Sequence, residues 1–223
     1  MSNLIMIMGE SGTGKSSSIR NLPPEETMII NVLGKPFPFR GGNKMYVPLH
    51  DKGTKGNYFA NDNYDRIIDC VNFINKERPD ISNLIIDDFV YLMTTEFMDK
   101  ALERGFDKFS VMANNAWKLL RVLAGLRNDL FVFVLTHSEV NADGKHKPKT
   151  IGKLLDEKIC LEGLVTMVLQ SVVHEGQFRF LTQNVGNTVA KSPMGLFDTK
   201  LIDNDLNFVK NAFKSYLNED INQ

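Results

Sequence analysis

The octapeptide Gly9-Glu10-Ser11-Gly12-Thr13-Gly14-Lys15-Ser16 fits the pattern G-x-x-x-x-G-K-[ST] in full, and it follows an apolar run at 4–8. A short apolar run ending at glycine reads as a buried parallel strand. Residues 16–22 read as a helix stopped by Pro23-Pro24. Glycines let the backbone turn sharply and let anionic oxygens approach closely. Successive N–H groups at the start of the helix then form an anion cradle. Lys15 would place its ammonium near the β- and γ-phosphates of a nucleotide, and the Ser16 hydroxyl could ligate Mg²⁺. Glu10, Ser11, Thr13 and Ser17 would contribute chiefly backbone groups. The ligand this pattern implies is ATP with Mg²⁺.

The remaining 200 or so residues (223 in all) must supply a sheet to carry that loop. Further apolar runs at 27–33, 84–86 and 130–135 read as buried strands. Helical spacing is expected over 62–78 with Asp62 as cap, over 89–104, over 107–127 and over 206–217. In the third of these, Phe109, Met112, Ala116, Leu119 and Leu123 fall on one face. Residues 151–163 are a further helix candidate. Segments 165–173 and 177–181 flank Glu175-Gly176 and read as a β-hairpin. Residues 34–61 and the polar stretch 141–150 read as loops. The sum is one α/β domain over 1–223: a mainly parallel sheet flanked by helices, with an antiparallel hairpin at one edge.

A phosphate loop also needs a carboxylate on the neighbouring strand. Leu84-Ile85-Ile86-Asp87-Asp88 supplies it, with Asp87 on the Mg²⁺ side. Asp88 is either a general base that orients water or a cap for the next helix. Thr136 and His137 end a strand where ligands of open α/β sheets collect, and His137 is a candidate γ-phosphate sensor.

The formal net charge of −1 gives no global attraction to nucleic acid or anionic membrane. Local basic stretches remain: Lys35, Arg40, Lys44, Lys52 and Lys55 in 34–60, and Lys145, Lys147, Lys149 and Lys153 in 144–153. With Phe37, Phe39 and Tyr58 as stacking rings, they are candidates for single-stranded DNA. Cys70 and Cys160 match no metal spacing and read as reduced thiols of a cytosolic protein. Neither a signal peptide nor a membrane span is expected.

The chain resembles bacteriophage-encoded P-loop ATPases with a RecA-like core, some of which look like recombination or single-strand-annealing partners. The resemblance covers most of the chain. It rests on GESGTGKS at 9–16, NVLGKPFPF at 31–39, LIIDD at 84–88, LTHSE at 135–139, KPKTIGKLLDEK at 147–158 and AKSPMGLF at 190–197. It implies an Mg²⁺-dependent ATPase in phage recombination or replication, located in the host cytoplasm. It also implies assembly into a ring or filament, with Lys191 matching a lysine finger that reaches a neighbour's ATP. Pro193 stands at the place of the family's companion arginine. The second strand lacks the family's catalytic glutamate, which leaves Asp88 or Glu139 for the role, or slow hydrolysis. A nucleotide-gated interaction module is therefore the main alternative. A small-molecule kinase is weaker, because 141–150 carries no arginine for a lid, and a packaging motor would need a further domain.

Overall fold

The computed structural model describes residues 2–49 and 56–221. Lys52 and Lys55, two of the proposed DNA contacts, lie outside the described residues. The fold is α/β, with a mostly parallel mixed sheet flanked by helices. The strands are β1 (Asn3–Gly9), β2 (Thr27–Asn31), β3 (Tyr58–Ala60), β4 (Asn83–Asp87), β5 (Phe131–Val140), β6 (His146–Pro148), β7 (Met167–His174), β8 (Gln177–Leu181) and β9 (Leu201–Asp203). Their order is β3-β2-β4-β5-β1-β7-β8-β9, with β6 paired to β5. All neighbours from β3 to β7 run parallel, and the β7–β8 and β8–β9 pairs are antiparallel. The expected hairpin is present as β7–β8, with β9 rather than β8 at the edge of the sheet. Its turn places Glu175 and Gly176 at φ 51° and 73°, the left-handed pair that a two-residue hairpin favours.

The apolar runs form central strands because both sheet faces are covered. Met6, Met8, Ile30, Ile86 and Val134 point to one side and are fully buried. There they meet Ile67, Val71 and Ile74 of α2 (Tyr64–Glu77) and Ala116, Leu119 and Leu123 of α4 (Asp107–Ala124). Ile5, Ile7, Ile29, Ile85 and Phe133 point to the other side. Their partners include Ile19, Phe180, and Leu206, Val209 and Phe213 of α6 (Leu206–Ile221). Among the described residues, no helix is long and apolar enough to cross a membrane.

Several local expectations need correction. The helix expected over 16–22 is present as a six-residue 3-10 helix, Ser16–Asn21. The cap of α2 is Asn63, not Asp62: its side-chain oxygen accepts from the Arg66 N–H at 3.1 Å. Asn63→Ala should accordingly cost about 1 kcal/mol in a denaturant melt, whereas Asp62→Ala should cost a few tenths or less. The loop 34–61 contains a short helix, α1 (Gly42–Met45), and β3. The helix expected at 89–104 is α3, Val90–Asp99. The helix expected over 151–163 is two short pieces, α5 (Lys153–Lys158) and a 3-10 turn (Leu161–Leu164). The stretch 141–150 is no open loop: β5 runs on to Val140 and pairs with β6 through Ser138–Pro148, Glu139–Lys147 and Val140–His146.

Candidate functional site

Register gathers the candidate residues at one edge of the sheet. Gly9 ends β1 beside His137 of β5, and Asn31 ends β2 beside Asp87 of β4. These are carboxyl ends of parallel strands, where open α/β sheets bind ligands. They open on a cavity of about 440 Å³. Its walls include Gly14, Lys15, Ser16, Asp87, Asp88 and His137.

The loop 9–16 is shaped from below by β7. A Cβ on Gly9 would lie 2.7 Å from the Ser171 carbonyl oxygen, so only glycine fits there. The Ser171 hydroxyl donates to the Thr13 carbonyl at 2.6 Å and accepts from Asn204 Nδ2 at 3.2 Å. Gly14 sits at φ 92°, a conformation that L side chains rarely adopt. Among the described residues, nothing in the protein accepts a hydrogen bond from the backbone N–H groups of Gly12, Gly14 and Lys15. Unpaired donors in a concave turn attract an anion. The 3-10 helix is short, so these amides and Lys15, more than a helix dipole, make the cradle.

Lys15 is buried and donates from Nζ to the carbonyls of Gly9 (3.0 Å) and Glu10 (2.7 Å). Burial lowers its pKa, against the raising influence of Asp88 and Asp87. Ser16 Oγ donates to Asp87 Oδ1 at 2.9 Å. Loss of solvent, and then the charge of Asp88, push the Asp87 carboxyl up to about 7, although Ser16 and Lys15 oppose this. A hydroxyl and a buried carboxylate side by side are hard oxygen donors of the kind Mg²⁺ takes, together with waters and phosphate oxygens.

The acidic end of β4 predicts that this strand neighbours the loop strand. It does not: β5 lies between β1 and β4, and the Ser16–Asp87 bond spans it.

Asp88 has φ 68°, unusual for a residue other than glycine. This turn sends consecutive carboxylates to different partners. Asp88 accepts from Lys35 Nζ at 3.0 Å, and His137 Nε2 lies 3.7 Å from its other oxygen. Burial alone would raise its pKa, but His137 and Lys35 outweigh it and hold the carboxyl below the usual range. The ring of Tyr91 lies edge-on to His137 and beneath the Lys35 ammonium. Asp88 does not cap α3 with its side chain; Phe89 occupies the cap position.

No protein-family model matches the chain, and no curated protein matches it. The assignment of the site rests on its own geometry.

Other candidates fall elsewhere. Glu139 is paired with Lys147 at 3.7 Å and does not line the cavity. Thr136 is buried on the opposite face from His137, its hydroxyl without a partner among the described residues. Lys191 exchanges two backbone hydrogen bonds with Val168, away from the loop, so it serves no role there within its own chain. Of the proposed stacking rings, Phe37 is buried in the core, and the half-buried Phe39 and Tyr58 pack against it together with Tyr46, all within 5.8 Å, centroid to centroid. Lys35 is committed to Asp88, and Lys147 to Asp156 and Glu139, while Lys145 and Lys149 stay exposed. Sequence reasoning missed Lys35 as a site residue. Its place after the second strand, opposite an acidic strand end, was the available signal.

Proposed function

We propose that this protein binds a nucleoside triphosphate, ATP by the resemblance, with Mg²⁺, in a RecA-like P-loop site, and hydrolyses it. The observation that carries the proposal is the Ser16–Asp87 hydrogen bond beside the buried Lys15 and the unpaired loop amides. The amides and Lys15 would hold the phosphates, with Ser16 and Asp87 holding the cation. Mg²⁺, when bound, would neutralise charge on the phosphate oxygens. The RecA-like assignment draws support from the parallel sheet and the motifs, as does a phage recombination or replication ATPase acting with single-stranded DNA. Assembly into a ring or filament would give Lys191 its role on a neighbouring subunit.

Hydrolysis needs a group to orient water, and among the acids near the loop Asp88 is the one on the cavity wall next to the Mg²⁺ side. Its carboxylate is held by Lys35 and His137. A carboxylate with a depressed pKa is a weak base. This favours slow turnover and keeps a second reading, a nucleotide-gated interaction module with little hydrolysis. The test is steady-state ATP turnover with and without single-stranded DNA. Asp88→Asn should leave ATP affinity within about twofold and lower turnover by roughly 10²–10⁴-fold. Asp88→Asn turning over as fast as wild type would move the base role to Glu139 or to no residue at all, and wild-type turnover no greater than a protein-free blank, with DNA present, would favour the gated module instead.

A further inference from the structure

One large apolar side chain at the loop has no role in holding phosphate. Phe178 on β8 is 46% exposed, while Phe180, two residues on and on the same sheet face, is fully buried in the core. The ring leans on the loop: a Cβ on Gly14 would lie 2.6 Å from Phe178 Cγ. Phe178 walls both the phosphate-loop cavity and an adjoining cavity of about 520 Å³. The second cavity is polar around it, lined by Asn21, Gln177, Arg179 and Asp205 among others.

The strand order fixes a direction. Asp87 and Asp88 leave β4, two strands from β1 on one side, and Phe178 leaves β8, two strands from β1 on the other. At ordinary strand spacing the two ends stand about 19 Å apart, shortened by the Phe178 ring leaning inward. The loop lies between them. A polyphosphate with its terminal group at the Lys15, Asp87 and Asp88 end would leave the loop past Ser17, toward Phe178. A flat ring face at that exit suits a flat, apolar-faced group carried on the phosphates.

We propose that Phe178 is the platform on which the nucleobase of the bound triphosphate stacks, with the base projecting into the adjoining cavity. This rests on the phosphate-loop reading above. Stacking uses the π-face that every base has, and so tolerates base identity. The polar groups beyond the ring already bond one another: Asn21 Nδ2 donates to Asp205 Oδ2 at 2.6 Å, and Arg179 is paired with Asp203 and Gln177. The site therefore takes purine nucleotides ahead of pyrimidine ones by ring area, and it discriminates weakly between the two purines.

The test compares Mg²⁺ complexes of ATP and of inorganic tripolyphosphate by calorimetric titration, for wild type, Phe178→Ala and Phe178→Tyr. Phe178→Ala should weaken ATP about 10- to 100-fold and leave tripolyphosphate within about twofold, and Phe178→Tyr should restore ATP binding. Equal losses for both ligands would make the ring a prop for Gly14 and overturn the platform. Unchanged ATP affinity in Phe178→Ala would overturn it while leaving the loop intact. Failure of wild type to bind either ligand would remove the phosphate-loop reading, and the platform with it.

Discussion

Replacing Lys15 with methionine is expected to weaken binding of ATP with Mg²⁺ by roughly 10- to 150-fold, the scale of one charge-assisted contact to phosphate. Methionine keeps most of the apolar stem in its buried place and removes only the ammonium. The loop itself is held by other contacts, namely Ser171 to Thr13 and the close fit of Gly9 over β7. Circular dichroism should therefore be unchanged, which separates loss of charge from loss of fold. A folded Lys15→Met protein with wild-type affinity would show that the ammonium does not meet the ligand.

Asp87→Asn should produce two opposite effects. Binding should lose its dependence on Mg²⁺, because the buried carboxylate beside Ser16 is gone. The ligand-free protein should become more stable at pH 8, by roughly 1–3 kcal/mol. The sign follows from the pKa. Asp87 is pushed up to about 7 in the fold, whereas an unfolded aspartate titrates near 3.9. Below the unfolded value both states are protonated and the charge costs nothing. As pH rises toward 7 the unfolded chain ionises first, and the fold loses stability relative to it. Above about 7 the whole cost is present, and there asparagine removes it. Lys15 keeps its two carbonyl acceptors and its neighbour Asp88. Melts of both proteins at pH 5 and pH 8 check this: the gain should be large at pH 8 and much smaller at pH 5. An equal gain at both would mean that the carboxylate is not strained by burial.

The residues with local causes were legible in the sequence. A buried strand, a glycine turn and a lysine are contiguous, so Gly9 to Ser16 could be placed without a fold. Asp87 was legible because an apolar run ending in acid marks the carboxyl end of a buried strand. The order of the strands was not legible: nothing local says that β5 enters between β1 and β4. For the same reason Lys35 stands in the sequence only as one of a basic stretch suited to DNA, whereas its partner Asp88 lies 53 positions along the chain. In the sequence Phe178 is only a residue of a hairpin strand, because its position over Gly14 depends on how β8 joins the sheet. Phe37 failed in the opposite sense. An aromatic in a glycine- and proline-rich stretch looks exposed, yet α1 and β3 fold Tyr46 and Tyr58 against it. The expected cap Asp62 and the actual cap Asn63 differ by one residue of register, which spacing alone does not resolve.

The most direct test of the central claim is a calorimetric titration of ATP into the wild-type protein, with Mg²⁺ and then with EDTA in its place. The loop amides, Lys15, and the Ser16–Asp87 pair together predict saturable binding at one site per chain, weakened when Mg²⁺ is withdrawn. Absence of binding by folded protein at millimolar ATP and Mg²⁺ would contradict it.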